Sequence, residues 1–211
     1  MQVSDAAQGS AEWAKQRLGK ATGSRFAEVL ATGKGLTRRA YATQLALEII
    51  TGQATDTFTS HAMELGTERE PIARAAYEAL TGNFVTEVGF CLHESLPCGV
   101  SPDGLIDDEG GLEIKCPRER THAEYLTLPA EPACYTAQIQ GCLWVTQRRW
   151  WDFVSFNPAF PANARLIVRR IERDEAFIAR LEQAVRQFSI EVQETVELIR
   201  NYRNPVLPVS R

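Results

Sequence analysis

Ser101-Pro102-Asp103-Gly104, followed from position 112 by Leu112-Glu113-Ile114-Lys115-Cys116-Pro117, is the stretch on which the fold and chemistry of this chain turn. The second segment alternates apolar and polar residues, so as a β-strand it sends Glu113 and Lys115 to one face. Between the two segments, Asp107-Asp108-Glu109-Gly110-Gly111 is polar and ends in glycine, which suits a hairpin loop. A hairpin centred on Glu109 sets Asp103 opposite Lys115 and Leu105 opposite Glu113, and Asp103, Glu113 and Lys115 then share a face. Two carboxylates and an ammonium there form a hard, oxygen-rich site for Mg²⁺, with a cation beside a nucleophilic water. The bland alternative is a surface hairpin of solvated charges. Against it, Pro102 removes a ladder N–H and Gly104 removes a side chain, a pairing that predicts a β-bulge re-aiming Asp103 toward a metal.

Outward from this hairpin the chain reads as mixed α/β (α+β). Residues 10–32 are predicted helical, then Gly33-Lys34-Gly35 breaks the pattern. Thr37 caps a second helix through Ile50, ended by Thr51-Gly52. A third helix covers 60–80, with Pro71 opening its second part or kinking it, and Thr81-Gly82 closes it. Phe84 to Leu92 is predicted as a strand. Helix 133–146, strand Trp150 to Phe156, strand Arg165 to Ile171 and a long helix over 174–201 follow, the last with Phe177, Leu181, Val185 and Phe188 at core-facing spacing. The expected architecture is a central mixed sheet flanked by helices in a single domain over 1–211: a helical part at 10–80, a core at 83–171 and the closing helix.

Composition agrees. A chain of 211 residues suits one well-packed domain, and 44% hydrophobic with 24% charged residues is ordinary for a globular protein. Met1-Gln2-Val3-Ser4-Asp5-Ala6-Ala7-Gln8 has neither a basic region nor an apolar stretch of a signal peptide, and no apolar run reaches membrane-spanning length, so a cytoplasmic protein is expected. The five cysteines, Cys91, Cys98, Cys116, Cys134 and Cys142, include no C-x-x-C pair and read as reduced, mostly core residues. Their dispersal argues against an iron–sulfur cluster. His61, His93 and His122 are scattered and make no zinc set, with one reservation: His61 precedes Glu70 on the same predicted helix. Trp144, Trp150 and Trp151 are assigned to core and subunit packing. The net charge of −4 is awkward for a nucleic-acid binder, although Arg38-Arg39, Arg118 with Arg120, Arg148-Arg149 and Arg169-Arg170 supply local positive charge.

The SPDG…LEIKCP pattern resembles the core motif of the PD-(D/E)xK nucleases and, within them, the phage lambda exonuclease (YqaJ-type) family of recombination exonucleases. Trp13, Arg17 and Thr22-Gly23-Ser24 resemble its W…R…T-A-S segment, with Gly23 in place of the usual alanine. Leu65-Gly66-Thr67-Glu68-Arg69-Glu70 resembles its G-x-x-x-E segment. Tyr135-Thr136-Ala137-Gln138-Ile139-Gln140 with Trp144-Val145-Thr146 resembles its Y-x-A-Q-x-Q…W-V-T segment. Together these blocks span residues 13–175 in the family's order.

The resemblance implies a restriction-endonuclease-like core and a Mg²⁺-dependent deoxyribonuclease that degrades one strand of linear double-stranded DNA in the 5′→3′ direction. The 3′ overhangs it leaves would serve phage-type recombination by strand annealing. Asp103, Glu113, Lys115 and Glu70 are then catalytic. Asp103, Glu113 and the Ile114 backbone carbonyl hold one ion and Asp103 with Glu70 a second, Mn²⁺ substituting for Mg²⁺. Arg17, Ser24, Ser101 and Gln138 match positions that bind the 5′-phosphate, a fitting use of a guanidinium and hydroxyls. Met63 matches an apolar wedge at the strand junction, whereas the residue alone reads as a buried helix methionine. The expected partners are double-stranded DNA ends, two further copies in a homotrimeric ring and a single-strand annealing protein, in a phage or prophage setting within a bacterial host. Two alternatives share these features: a restriction-like or RecB-like endonuclease, and a non-catalytic DNA-end-binding recombination adaptor.

Overall fold

The computed structural model describes residues 1–31, 36–55 and 61–203, with side chains described throughout these except at 36, 61–65 and 67. In chain order the first elements are β1 (Gln2–Val3), α1 (Ala11–Arg17), β2 (Ala21–Thr22), a 3₁₀ turn (Gly23–Arg25), α2 (Phe26–Leu30), α3 (Leu36–Thr51) and α4 (His61–Thr81). Next come β3 (Val85–Thr86), β4 (Cys91–Leu92), β5 (Cys98–Val100), β6 (Gly104–Ile106) and β7 (Gly110–Lys115). They are followed by α5 (Glu119–Thr127), a second 3₁₀ turn (Ala133–Tyr135), α6 (Thr136–Thr146), β8 (Trp150–Phe156), β9 (Leu166–Glu172) and α7 (Glu175–Arg200).

The strands form two mixed sheets rather than one. The larger has the order β3-β6-β7-β8-β9, antiparallel except for the parallel pair β7-β8, and the smaller has the order β1-β4-β5-β2. The stretch expected as one strand over Phe84 to Leu92 is divided between them: Val85 pairs with Ile106 in the larger sheet, whereas Cys91 pairs with Val100 in the smaller. The helix expected over 10–32 is also interrupted. Ala21 and Thr22 pair in parallel with Cys98 and Gly99, so ladder bonds override a helix-compatible sequence there. Helix α5 is an addition to the sequence reading. Its anchor is His122, fully buried, with ring nitrogens 2.8 Å from the Ser155 hydroxyl and 2.8 Å from the Ala164 carbonyl.

Each face of the larger sheet is covered. Trp151 and Phe153 point into the main core with α2, α3, α6 and α7, while Leu112, Ile114, Val154 and Phe156 pack with Ala73 and Tyr77 of α4 on the other side. Helix α7 is capped by Asp174, whose carboxylate accepts the Phe177 N–H at 3.0 Å. Its buried stripe is Ile178, Leu181, Val185, Phe188, Val192 and Val196, so the stripe starts at Ile178 and Phe177 is only partly buried. Cys91, Cys98 and Cys142 are buried, Cys134 is exposed, and all five thiols are free.

The central hairpin departs from expectation in register. Gly104 pairs with Leu112 and Ile106 with Gly110, which centres the turn on Asp108 and sets Asp103 level with Glu113 rather than Lys115. The cause is a three-residue loop with Asp107 at φ +43°, closed by the Arg148 guanidinium donating to the carbonyls of Ile106, Asp107 and Gly110. The shift involves an even number of positions, so the side chains keep their face. No bulge interrupts the β6-β7 pairing. Gly104 is required instead because a Cβ there would lie 2.0 Å from Cγ1 of Val85, and Gly110 and Gly111 because the indoles of Trp150 and Trp151 lie directly against them.

Much of the arginine charge is used internally. Arg38 donates to both carboxylate oxygens of Glu191, and Arg170 grips the buried Asp152 through two bonds of 2.9 Å. Tyr77 donates to the same carboxylate at 2.7 Å. Replacing Arg170 by alanine leaves Asp152 buried with a single donor. The half-exposed arginine tempers the loss, and a fall of about 3 kcal/mol is expected from chemical denaturation, the low end for breaking a buried pair.

Candidate active site

β7 carries Glu113 and Lys115 on its main-core face, and Asp103 immediately precedes β6 on the neighbouring chain segment. Asp103 is tied to the strand by the Ile114 N–H, which donates to Oδ2 at 2.6 Å. Lys115 Nζ donates to Glu113 Oε1, which also accepts the Gln138 amide at 2.6 Å. The Glu113 side chain is 1% exposed, and its other oxygen, Oε2, is buried without a hydrogen-bond partner. Asp103, Glu113 and Lys115 thus converge.

The third acid arrives from α4. Glu70 Oε1 accepts from Arg74 at 2.8 Å, and the same guanidinium donates to the Asp103 carbonyl at 3.3 Å and pairs with Glu87 at 2.8 Å. Pro71 inside α4 lines a cavity of about 680 Å³ with Gln8, Trp13, Glu70, Arg74 and Asp103. Gln8 braces this wall by donating to the Pro102 carbonyl at 2.7 Å.

These charges are crowded. Burial pushes the Glu113 carboxyl up to about 7 despite the Lys115 ammonium, and Asp103 adds to the rise. Glu70 is also raised to about 7, first by burial and then by Asp103, against the pull of Arg74. Burial raises Asp103 too, opposed by Lys115. Burial works against the Lys115 charge, but Glu113 and Asp103 together hold its pKa above the ordinary value. Both glutamates therefore bind protons more tightly when folded than when unfolded. Between their ordinary value of 4.5 and about 7 the folded state carries more protons, so these groups lower stability as pH rises through that window. In EDTA the Tm is expected to fall from about pH 5 to about pH 8, less steeply in Glu113→Gln, and to recover with Mg²⁺ at the higher pH. A Tm at that pH indifferent to Mg²⁺ would contradict cation binding here.

The donor set fits a divalent cation. Hard carboxylate oxygens, an unpartnered buried Glu113 oxygen and three acids facing two cations leave negative charge to be balanced. Among the described residues no three His, Cys, Asp or Glu side chains close on a single ion position. Lys115 and Arg74 hold Glu113 and Glu70 in ion pairs instead.

A second group lies alongside. Ser101 Oγ accepts from Trp13 Nε1 and from Arg17, each at 3.0 Å, and the Arg17 guanidinium lies 4.1 Å from the Trp13 ring centroid. With two bonds accepted, the hydroxyl has its proton left to donate. Ser24 is exposed and follows Gly23, where a Cβ would lie 2.9 Å from Val100 Cγ1, next to Ser101; the close contact accounts for glycine at that position. Trp13 and Arg17 also line a cavity of about 190 Å³ with Lys20, Arg25 and Tyr41. Arg17 and Ser101 are thus brought together, while the Gln138 amide is turned to Glu113. The side chains of Met63 and His61 lie outside the described residues.

Three contributors escaped the sequence reading. Arg74 was legible as an i, i+4 partner of Glu70. Trp13 was seen only as part of a motif, and no local signal marks Gln8.

A family model described as a YqaJ-like viral recombinase domain matches residues 12–149. The chain is similar to an alkaline exonuclease from Laribacter hongkongensis, at 40% identity and a TM-score of 0.85, covering 90% of this chain and 96% of that one; the same figures hold for that enzyme's complex with dAMP. A phage-related exonuclease from Haemophilus somnus shares the fold at 16% identity and a TM-score of 0.70, covering 85% of this chain and 96% of that one. No curated protein matches the sequence. With its mixed sheets, its flanking helices and its family model spanning more than half of its length, this chain belongs to the YqaJ-like viral recombinase domain family.

Proposed function

We propose that the protein is a divalent-metal-dependent exonuclease that enters linear double-stranded DNA at a 5′ end, removes nucleotides 5′→3′ and leaves 3′ overhangs for recombination by strand annealing. The observation that carries this reading is the convergence of Asp103, Glu113 and Lys115, with a buried unpartnered carboxylate oxygen, beside the Arg17–Ser101 pair. Asp103, Glu113 and the Ile114 carbonyl would hold one Mg²⁺, with Glu70 helping Asp103 hold a second, and Mn²⁺ would substitute. When bound, such ions lower the pKa of water and neutralise charge on the phosphate. Lys115 orients the attacking water and stabilises the charge that develops on the phosphate oxygens. Arg17, with Ser24 and the free proton of Ser101, receives the terminal 5′-phosphate. Gln138 fixes Glu113 and extends this pocket from the metal side. Met63 would part the strands.

A homotrimeric ring offers a reason for the acidic balance. A chain of net charge −4 gains little from non-specific phosphate attraction, and enclosure of the product strand can replace affinity as the source of processivity. Light scattering is expected to give three times the chain mass of 23.5 kDa. A monomer that digests long duplexes without dissociating would contradict the ring. The expected partner is a single-strand annealing protein in the cytoplasm of a phage-carrying bacterium. No helix among the described residues is long and apolar enough to cross a membrane.

The test is a linear duplex, a matched covalently closed circle and a single strand, each incubated with Mg²⁺ or EDTA. Mg²⁺-dependent loss of the linear duplex alone is expected. Nicking of the circle would favour an endonuclease, and retention of every substrate would favour an end-binding adaptor.

A further inference from the structure

Lys115 has a second neighbour besides Glu113. Its Nζ lies 5.2 Å from the centroid of the Tyr135 ring, within range of a cation–π contact. That ring is itself fixed. It stacks on Phe153, with centroids 5.4 Å apart and planes at 27°, and its hydroxyl lies 3.2 Å from the hydroxyl of Tyr125. Tyr125 stands edge-on to both, at 6.4 Å from Tyr135 and 6.0 Å from Phe153. Phe153 is fully buried and is the register partner of Glu113 on the parallel strand β8. The aromatic triad is therefore anchored, through Phe153, on the rung of the sheet that carries Glu113, the ion-pair partner of Lys115. In the segment Tyr135-Thr136-Ala137-Gln138-Ile139-Gln140, Gln138 is accounted for by its bond to Glu113, and Gln140 by its bonds to the Glu172 carbonyl and the Asp174 N–H. Tyr135 is left with its ring against the lysine.

We propose that Tyr135 is the positioning residue for Lys115, its ring face aiming the ammonium at the reacting centre. The inference rests on the nuclease reading above, in which Lys115 meets the attacking water or the phosphate. The lysine stem is long and freely rotating, and an ion pair to one carboxylate oxygen sets a distance but not a direction. The negative face of an aromatic ring attracts the cation without competing for Glu113, and supplies the second anchor. Phe153 and Tyr125 lock that ring in place, so the anchor costs little further ordering. The hydroxyl of Tyr135 faces Tyr125, so the ring and not the hydroxyl carries the effect.

The experiment grades the charge on the ring while preserving its packing. Position 135 is filled in turn with tyrosine, phenylalanine, 4-fluoro-, 3,5-difluoro- and 3,4,5-trifluorophenylalanine, and kcat and KM are measured on a 5′-phosphorylated duplex with Mg²⁺. Tyr135→Phe is expected to keep kcat within about twofold, kcat to fall stepwise as fluorines are added, and Tyr135→Leu to lose about tenfold, with KM unchanged throughout. A kcat that is flat across the fluorinated series, or an effect confined to KM, overturns the role of Tyr135 while leaving the nuclease reading intact. A wild-type protein inert toward DNA overturns the nuclease reading itself, and this inference with it. Because the fluorinated rings keep nearly the same shape, a purely structural tyrosine would not produce the graded series.

Discussion

Lys115→Ala will lose cleavage by about a thousandfold or more while still binding a divalent cation, as read by Mn²⁺ electron paramagnetic resonance or calorimetry. The separation follows from the chemistry of the group. An ammonium is no metal ligand, and in the proposed mechanism its removal deletes one donor to the water and phosphate while leaving Asp103 and Glu113 as acceptors. Removing it also frees Glu113 Oε1 from its ion pair, so cation affinity should not decline. Asp103→Ala and Glu113→Ala are expected to lose cleavage and cation binding together, because each removes a proposed oxygen ligand as well as a partner of Lys115. Ca²⁺ is expected to support DNA binding with little cutting, since its looser coordination positions water poorly. Near wild-type turnover in any of the three variants at saturating Mg²⁺ would contradict a shared catalytic face. So would a Lys115→Ala protein that no longer binds the ion.

Arg17→Ala will slow digestion of 5′-phosphorylated ends by about a hundredfold and of 5′-hydroxyl ends far less. A charge-assisted bond to phosphate contributes about 1.5–3 kcal/mol, and a guanidinium can supply two. Arg17 suits the task because the Trp13 ring fixes its plane and Ser101 accepts one of its N–H groups, leaving others to donate. Burial lowers the Arg17 pKa against the opposing pull of Tyr41 and Glu48, which marks a cation drawn partly out of water. Equal losses on both kinds of end would reduce Arg17 to general backbone attraction or to folding. Ser101→Ala, which removes the shared acceptor of Trp13 and Arg17, is expected to show the same preference more weakly.

How much of this was legible in the sequence depended on the range of the forces involved. β8, β9 and α7 were found within a residue or two, because a short run rich in aromatic and β-branched residues and the spacing of a helical stripe are local signals, and the Asp174 cap marks the start of α7. The face shared by Asp103, Glu113 and Lys115 was legible for the same reason, since strand parity survives an even change of register. The register itself was not. It is set by Arg148, some forty residues away in sequence, and by two indoles lying on Gly110 and Gly111 from the parallel strand. The division of 84–92 between two sheets, and β2 within an expected helix, also depend on distant pairing partners. Glu70 carries no local sign of function; α4 reaches the hairpin through the packing of Ala73 and Tyr77 on Leu112 and Ile114 and through Arg74, which donates to the Asp103 carbonyl, and neither contact is marked in the sequence around Glu70.

The most direct test of an exonuclease that enters at the 5′ end uses a linear duplex carrying distinguishable labels at the 5′ and 3′ ends of one strand. The 5′ end is phosphorylated, with a closed circle of the same sequence in the same tube and Mg²⁺ present. Release of the 5′ label as a mononucleotide from the first time points, with the 3′ label retained until late and the circle intact, is the expected result. Release of the 3′ label first, or nicking of the circle at a comparable rate, would contradict it.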